Sequence, residues 1–302
     1  AYKAAMTNYN NGNIKEFEMR FKTKRKPTQI FHIDKNALKT NMNLFKRRKI
    51  GKLRTRKKMK QWINKTIKKI ESDCKIIRYN PNQYYLLLTI TKNKINSKAT
   101  CKSVSLDPGV RTFQTIYSSD GLAGKLGDEI VDKKLIPIAK RIDHYQSVIS
   151  KVDKSQTRRN LKKRCALLRT KIKNITSDLH WKVADFLCQN FETIIIPKFE
   201  VQEMTHRSKS INSTTTRKML SLSHYKFRQR LVHKANMYNR NVLITGEAFT
   251  SKTCGHCGIL NNDLGSKKVF DCKKCDVKLD RDINGARNIM IRLCTLLQGQ
   301  DT

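Results

Sequence analysis

The chain has 302 residues, 64 Lys+Arg against 24 Asp+Glu, and a formal net charge of +40 at pH 7. A surface so one-sided repels itself unless a polyanion neutralises it, so nucleic acid is the expected partner. Coding bias can inflate Lys, Asn and Ile, but it does not deplete Asp and Glu. No apolar run approaches the roughly 20 residues of a membrane helix, and no signal-peptide core is visible, so no membrane partner is expected. Nine cysteines, five of them scattered (Cys74, Cys101, Cys165, Cys188, Cys294), fit a reducing compartment better than a disulfide framework.

Residues 1–100 form the more basic region. The runs 22–26 (KTKRK) and 46–60 (KRRKIGKLRTRKKMK) are too charged to face a core and read as phosphate-contacting surface. Ile30–Ile33 reads as a strand, and Cys74–Tyr79 and Tyr84–Ile90 flank an Asn-Pro-Asn turn as a hairpin would. This region is expected to be a β-containing module with helical insertions.

From about residue 101 the pattern changes. Val104–Leu106 leads into Asp107-Pro-Gly, and Val110–Tyr117 follows as a second strand. Residues 133–191 carry apolar positions at steps of three and four, among them Leu161, Cys165, Leu168 and Ile172, which predicts helix. Thr193–Ile196 and Val242–Thr245 are short apolar strands. Between them lie a polar loop over 205–217 and one helix over about 220–239. Ile283–Leu297 predicts a C-terminal helix packed on a sheet. The order describes a mixed α/β domain over 101–302, with a helical insertion at about 133–191. His144, His180, His224 and His233 fall on the helical segments and read as packing or phosphate contacts.

Cys254-x2-Cys257 and Cys272-x2-Cys275 are separated by fourteen residues. Two such knuckles can close a tetrahedral four-cysteine site, with intervening residues enough for a short β-ribbon (250–279). Redox CxxC motifs come singly, so a structural Zn²⁺ is the expected occupant. His256 lies inside one knuckle, but four thiolates already complete the site.

Three carboxylates sit at element ends. Asp107 ends a strand, Glu247 follows the Val242–Thr245 strand, and Asp282 opens the last helix. Taken singly, these read as turn, solvated and cap residues. Taken together, they are the oxygen ligands that Mg²⁺ takes. A pair of Mg²⁺ ions about 3.5–4 Å apart activates a water and stabilises the leaving oxygen in phosphodiester cleavage.

The segment 105–113 (SLDPGVRTF), the knuckle 250–258 (TSKTCGHCG) and the segment 280–288 (DRDINGARN) resemble the split RuvC motifs of TnpB, a family of transposon-encoded RNA-guided nucleases. The likeness covers about 101–297. It implies an RNase H-like (RuvC) sheet carrying a zinc ribbon, preceded by a basic wedge and recognition region over 1–100. It also implies a guide RNA from the element's own end, with one protein chain per RNA. The target would be double-stranded DNA beside a short target-adjacent motif, cut in a Mg²⁺-dependent reaction. By motif position, Asp107 and Asp282 carry over as the first and last catalytic carboxylates, and Asp280 as a cap or supporting residue. The family's middle Glu falls at Pro197, which cannot bind metal. Glu247, past the strand expected beside Thr193–Ile196, is favoured over Glu200, which lies about 10 Å further along an extended chain. With 196–199 (IPKF) and 246–254 (GEAFTSKTC), this departure resembles Fanzor, the eukaryotic and giant-virus branch, which implies action in a eukaryotic nucleus, where a TnpB proper would act in a bacterial cytoplasm. Two other readings stand beside an endonuclease: a nuclease-dead RNA-guided DNA-binding protein, and a plain zinc-ribbon RNA-binding protein.

Overall fold

A computed structural model of the chain describes residues 2–12, 14, 16–18, 28–35, 57–67, 69–80, 83–95, 98–199, 201–204, 211–246, 250–261, 265 and 268–298. The basic run 22–26, most of the run 46–60, and the carboxylates Glu200 and Glu247 lie outside the described residues. The chain divides into two compact units, Ala1–Lys92 and Asn93–Thr302.

The first unit contains helix α1 (Tyr2–Asn10), strand β1 (Gln29–Ile33), helix α2 (Lys57–Ile67) and strands β2 (Cys74–Asn80) and β3 (Gln83–Leu87). The strands form an antiparallel sheet in the order β1-β2-β3, with Ile33 opposite Cys74 and Asn80 opposite Gln83. Residues spaced by two share a face, so Cys74 and Ile76 turn inward together. They meet Ile33, Ile70 and, from α2, Ile63 in a small core.

The second unit is built on a five-stranded mixed sheet. In chain order its elements begin with β4 (Cys101–Pro108), β5 (Thr112–Ser118) and β6 (Ala123–Asp128). A π-helical turn at Val131–Leu135 leads into α3 (Ile136–Lys151) and α4 (Ser155–Asn190), followed by β7 (Phe191–Pro197) and the short α5 (Val201–Met204). Then come α6 (Ser213–Leu222), α7 (His224–Tyr238), β8 (Asn241–Thr245), β9 (Val269–Asp271), β10 (Lys278–Asp280) and α8 (Arg281–Gln298). The strand order is β6-β5-β4-β7-β8. The β6-β5-β4 pairs are antiparallel, and the β4-β7-β8 pairs are parallel. Parallel neighbours require crossover connections, and the α3–α4 and α6–α7 segments provide them. Gly109 permits the tight β4–β5 turn, because a Cβ there would lie 2.7 Å from the Thr112 carbonyl oxygen.

Each face of the sheet buries its own partners. Leu106, Phe113, Ile116 and Ile194 pack with Val183 and Leu187 of α4 and with Phe227 and Leu231 of α7. On the opposite face Ile195 packs with Ile289 and Met290 of α8. The parallel pairing of β7 with β8 matches the neighbour relation expected for Thr193–Ile196 and Val242–Thr245.

Three local features differ from the sequence reading. Residues 213–217, expected in a polar loop, begin helix α6. The Asn212 side chain caps that helix by accepting the Thr214 N–H at 2.8 Å, and Met219 and Leu222 bury its inner face. The single helix expected over 220–239 is interrupted at Ser223, whose φ of 49° is left-handed. Strand β6 was not anticipated, because its two glycines and half-exposed residues obscure the period-two pattern.

His180 and His224 each stack on Phe113, with ring centroids 5.2 and 5.3 Å away. His180 Nε2 donates to the Leu222 carbonyl at 2.8 Å, and Nδ1 accepts from Arg230 at 3.0 Å, which fixes a neutral ring. Burial holds His180 down at about 4 and His224 at about 3. The unfolded chain takes up these protons near the ordinary histidine value of about 6.5 and the folded chain does not. Stability from this pair is therefore complete above that value and is lost as pH falls toward the folded values. Thermal melts should show the melting temperature dropping between pH 7 and pH 4.5, and dropping less in His224→Phe. An equal drop in the variant would remove His224 from this account.

Candidate active site

The C-terminal edge of the parallel strands gathers the site. Ser105 lies opposite Ile195, and Pro197 lies opposite Thr245. Continuing the first register by two residues sets Asp107 level with Pro197, so Asp107, Pro197 and Thr245 form a row across three strands. Neighbouring strands are about 4.8 Å apart. Ser105 shows which way this part of β4 faces, because its hydroxyl donates to the Ala286 carbonyl of α8 at 2.6 Å. Asp107, two residues on, points to the same side.

Its carboxylate lies against the first turns of α8. A Cβ added to Gly285 would sit 2.5 Å from Asp107 Oδ2 and 3.9 Å from the Ser251 hydroxyl. No side chain fits there, so Gly285 leaves the room the carboxylate occupies. Asp282 lies three residues earlier on the same helix. Residues at that spacing are neighbours, with Cβ atoms about 5–6 Å apart. Asp107 thus packs against α8 about one turn from Asp282. The fold also sets the end of β8, two residues before Glu247, on the same edge of the sheet. Gly246, next along the chain, lies beside the Arg292 guanidinium.

Asp280 is the helix cap. Its Oδ1 accepts the N–H groups of Asp282 at 2.9 Å and Ile283 at 3.3 Å, and its Oδ2 meets Lys125 Nζ at 2.7 Å. Burial alone would raise this carboxyl. The lysine and the two N–H groups outweigh it and hold Asp280 below the usual carboxylate range.

The four cysteines converge. Cys254 and Cys275 sulfurs are 3.7 Å apart, Cys257 and Cys272 sulfurs are 3.6 Å apart, and all four lie within 4.8 Å of one another. A tetrahedral ion with bonds of about 2.3 Å needs sulfurs about 3.8 Å apart, so this cluster can hold zinc. The two knuckles share one geometry. Gly258 N–H donates to the Cys254 carbonyl and Asp276 N–H to the Cys272 carbonyl, each at 2.9 Å. Gly258 and Asp276, each just past its CxxC, take left-handed φ values of 75° and 55°. The N–H groups of Cys275 and Lys274 lower the Cys272 thiol to about 6, while, against the Val277 N–H, burial and the three neighbouring sulfurs push the Cys275 thiol up to about 12. Among the described residues, strands β9 and β10 flank the second knuckle, and a bridge joins Thr253 to Leu260 beside the first.

Two buried asparagines tie the first knuckle to α8. Asn284 accepts the Gly255 N–H at 2.9 Å and donates to the Thr253 carbonyl at 2.7 Å. Asn288, one turn on, donates to the carbonyls of Thr250 at 2.8 Å and Thr253 at 2.7 Å. The sequence reading assigned no role to Asn284, Asn288, Gly285 or Lys125. The four-residue spacing of the asparagines was the available signal, since it puts both amides on one helix face.

The family model described as Cas12f1-like, TNB domain matches residues 224–289, a span that holds α7, β8, the knuckles and the start of α8. The chain is 30% identical to a putative transposase of Paramecium bursaria Chlorella virus 1, over 96% of this chain and 66% of that protein. It is 30% identical to a TnpB-like protein of Acanthamoeba polyphaga mimivirus, over 96% of this chain and 54% of that protein. It is 28% identical to the putative RNA-guided DNA endonuclease InsQ of Escherichia coli, over 62% of this chain and 48% of that protein. The chain thus spans about half to two thirds of the length of the relatives it matches. With the knuckles, the aspartate-bearing helix and this similarity along nearly its whole length, the chain belongs to the TnpB-like family.

Proposed function

We propose that this chain carries the nuclease centre of an RNA-guided DNA endonuclease encoded by a mobile element, with an RNase H-like (RuvC) sheet. The observation that carries the reading is the close approach of the Asp107 carboxylate to α8 at Gly285, where no Cβ would fit, one helical turn from Asp282. The hard carboxylate oxygens of Asp107 and Asp282 suit Mg²⁺, and Gly285 leaves the room in which the Asp107 carboxylate sits. Asp107 and Asp282 would hold the ion, with Glu247 as third ligand. Bound there, a pair of Mg²⁺ ions would supply water activation and stabilisation of the leaving oxygen in phosphodiester hydrolysis. The residues themselves orient the site. Ser105 ties β4 to α8, Asp280 caps the helix that presents Asp282, and a structural zinc in the four cysteines would hold the segment between β8 and α8.

The net charge of +40 suits a chain enclosed by nucleic acid. The partners in this reading are a guide RNA from the element's own end, one per protein chain, and double-stranded DNA beside a short target-adjacent motif. Sequencing RNA that copurifies with the protein tests the guided reading. A defined RNA mapping beside its own gene supports it, and bulk cellular RNA contradicts it.

Pro197 at the end of β7 favours one competing reading, a guided DNA-binding protein that no longer cuts. Within the endonuclease reading, the same proline favours the Fanzor branch and action in a nucleus. Glu247→Ala is expected to lower cleavage at least 100-fold and Glu200→Ala to leave it within about threefold. Full activity in Glu247→Ala would transfer the role away from Glu247.

A further inference from the structure

We propose that Lys125 is a positioning residue for this site, acting through Asp280 to fix the N-terminal turn of α8 and with it Asp282. The inference rests on the metal-dependent reading above.

The placement comes from the sheet. Asp107 pairs with Thr115 across β4–β5, and Thr115 pairs with Lys125 across β5–β6. Cross-strand partners share a face, so Lys125 stands in the same row as Asp107, two strands away, on the face that α8 covers. From there its ammonium reaches Asp280 Oδ2 at 2.7 Å. The other Asp280 oxygen is occupied by the N–H groups of Asp282 and Ile283. Both oxygens of the cap are thus committed, one to the sheet and one to the helix. The link joins the strand row bearing Asp107 to the turn bearing Asp282.

Stability does not explain the pair. Its side chains are 36% and 31% exposed, and ion pairs so open to water add little to folding. Direction does explain it. An N-cap can rotate with its helix end, and a second anchor on the other oxygen removes that freedom. The bond to Asp280 first, and then the charges of Asp280, Asp128 and Asp282, raise the Lys125 ammonium above its ordinary range, so the anchor stays charged.

The test uses the protein without nucleic acid and then its RNA complex. In Lys125→Met, amide exchange over 281–284 should quicken about tenfold. Half-saturation by Mn²⁺, used as the probe ion, should rise about fivefold, and the Mg²⁺ requirement for cleavage should rise in parallel. Lys125→Arg should restore all three. In an Asp280→Ala background, Lys125→Met should add nothing, because both changes break one linkage. Lys125→Gln serves if the Met variant folds poorly. Unchanged exchange and Mn²⁺ binding, or a full effect persisting without Asp280, would overturn the proposal and leave the metal site standing. Mn²⁺ binding that is identical in wild type and Asp107→Ala would overturn the metal site, and the proposal with it.

Discussion

Gly285→Ala is expected to slow DNA cleavage at least 100-fold in a protein that remains folded and bound to its RNA. A methyl group there meets Asp107 Oδ2 at 2.5 Å, so either the carboxylate or the helix must move. Displacement of about 1 Å in a reacting constellation can cost 10²-fold. Local propensity acts in the opposite direction, because Ala is favoured over Gly in a helix interior by about 1 kcal/mol. Loss of activity with an unchanged or raised melting temperature would therefore isolate the clash from a folding defect. Asp107→Ala should abolish cleavage, and adding Gly285→Ala to it should have no further effect on the residual rate. Near-normal cutting by Gly285→Ala would mean that the carboxylate does not work from the place it occupies here.

Breaking the cysteine cluster that can hold zinc should have the second large effect. Structural zinc sites contribute on the order of 10 kcal/mol of binding energy that is also folding energy. Elemental analysis should find one zinc per chain in the wild type and none in Cys272→Ser. Cleavage should then fall below detection. The reason is the link through Asn284 and Asn288, whose amides bond the backbone of residues 250–255 directly to α8. A collapsed knuckle withdraws those partners and leaves two buried amides unsatisfied, each costing about 1–3 kcal/mol. Cys294→Ser, an exposed thiol away from the cluster, should keep both zinc and activity. Retained cleavage in a zinc-free Cys272→Ser protein would refute the role of the knuckle as a brace.

What could be read from the sequence was local. The runs Thr193–Ile196 and Val242–Thr245 announce strands through β-branched residues, and the CxxC pairs announce a metal site by spacing alone. Read singly, Asp282 looks like the helix cap, and only the family likeness leaves that role to Asp280, which accepts the Asp282 and Ile283 N–H groups. The contacts that assemble the site are long-range, and no periodicity encodes them. The close approach of Asp107 to Gly285 joins positions 178 residues apart, and the Ser105 bond to Ala286 joins positions 181 apart. Helix α6 was hidden for a different reason. Its Ser-Thr-Thr-Thr opening looks like loop chemistry until Asn212 caps it and Leu222 finds the core. Strand β6 pairs along β5 despite two glycines, so its neighbour rather than its own propensity makes it a strand.

The central claim is that the Asp107 and Asp282 carboxylates form one metal-dependent cutting centre directed by RNA. The most direct measurement is single-turnover cleavage of DNA matching the copurified RNA, with wild type, Asp107→Asn and Asp282→Asn compared in Mg²⁺ and in EDTA. The account predicts cutting by wild type in Mg²⁺ alone, and loss of at least 10³-fold in each variant with RNA and DNA binding retained. Cutting by either variant at the wild-type rate, or cutting that persists in EDTA, would contradict it.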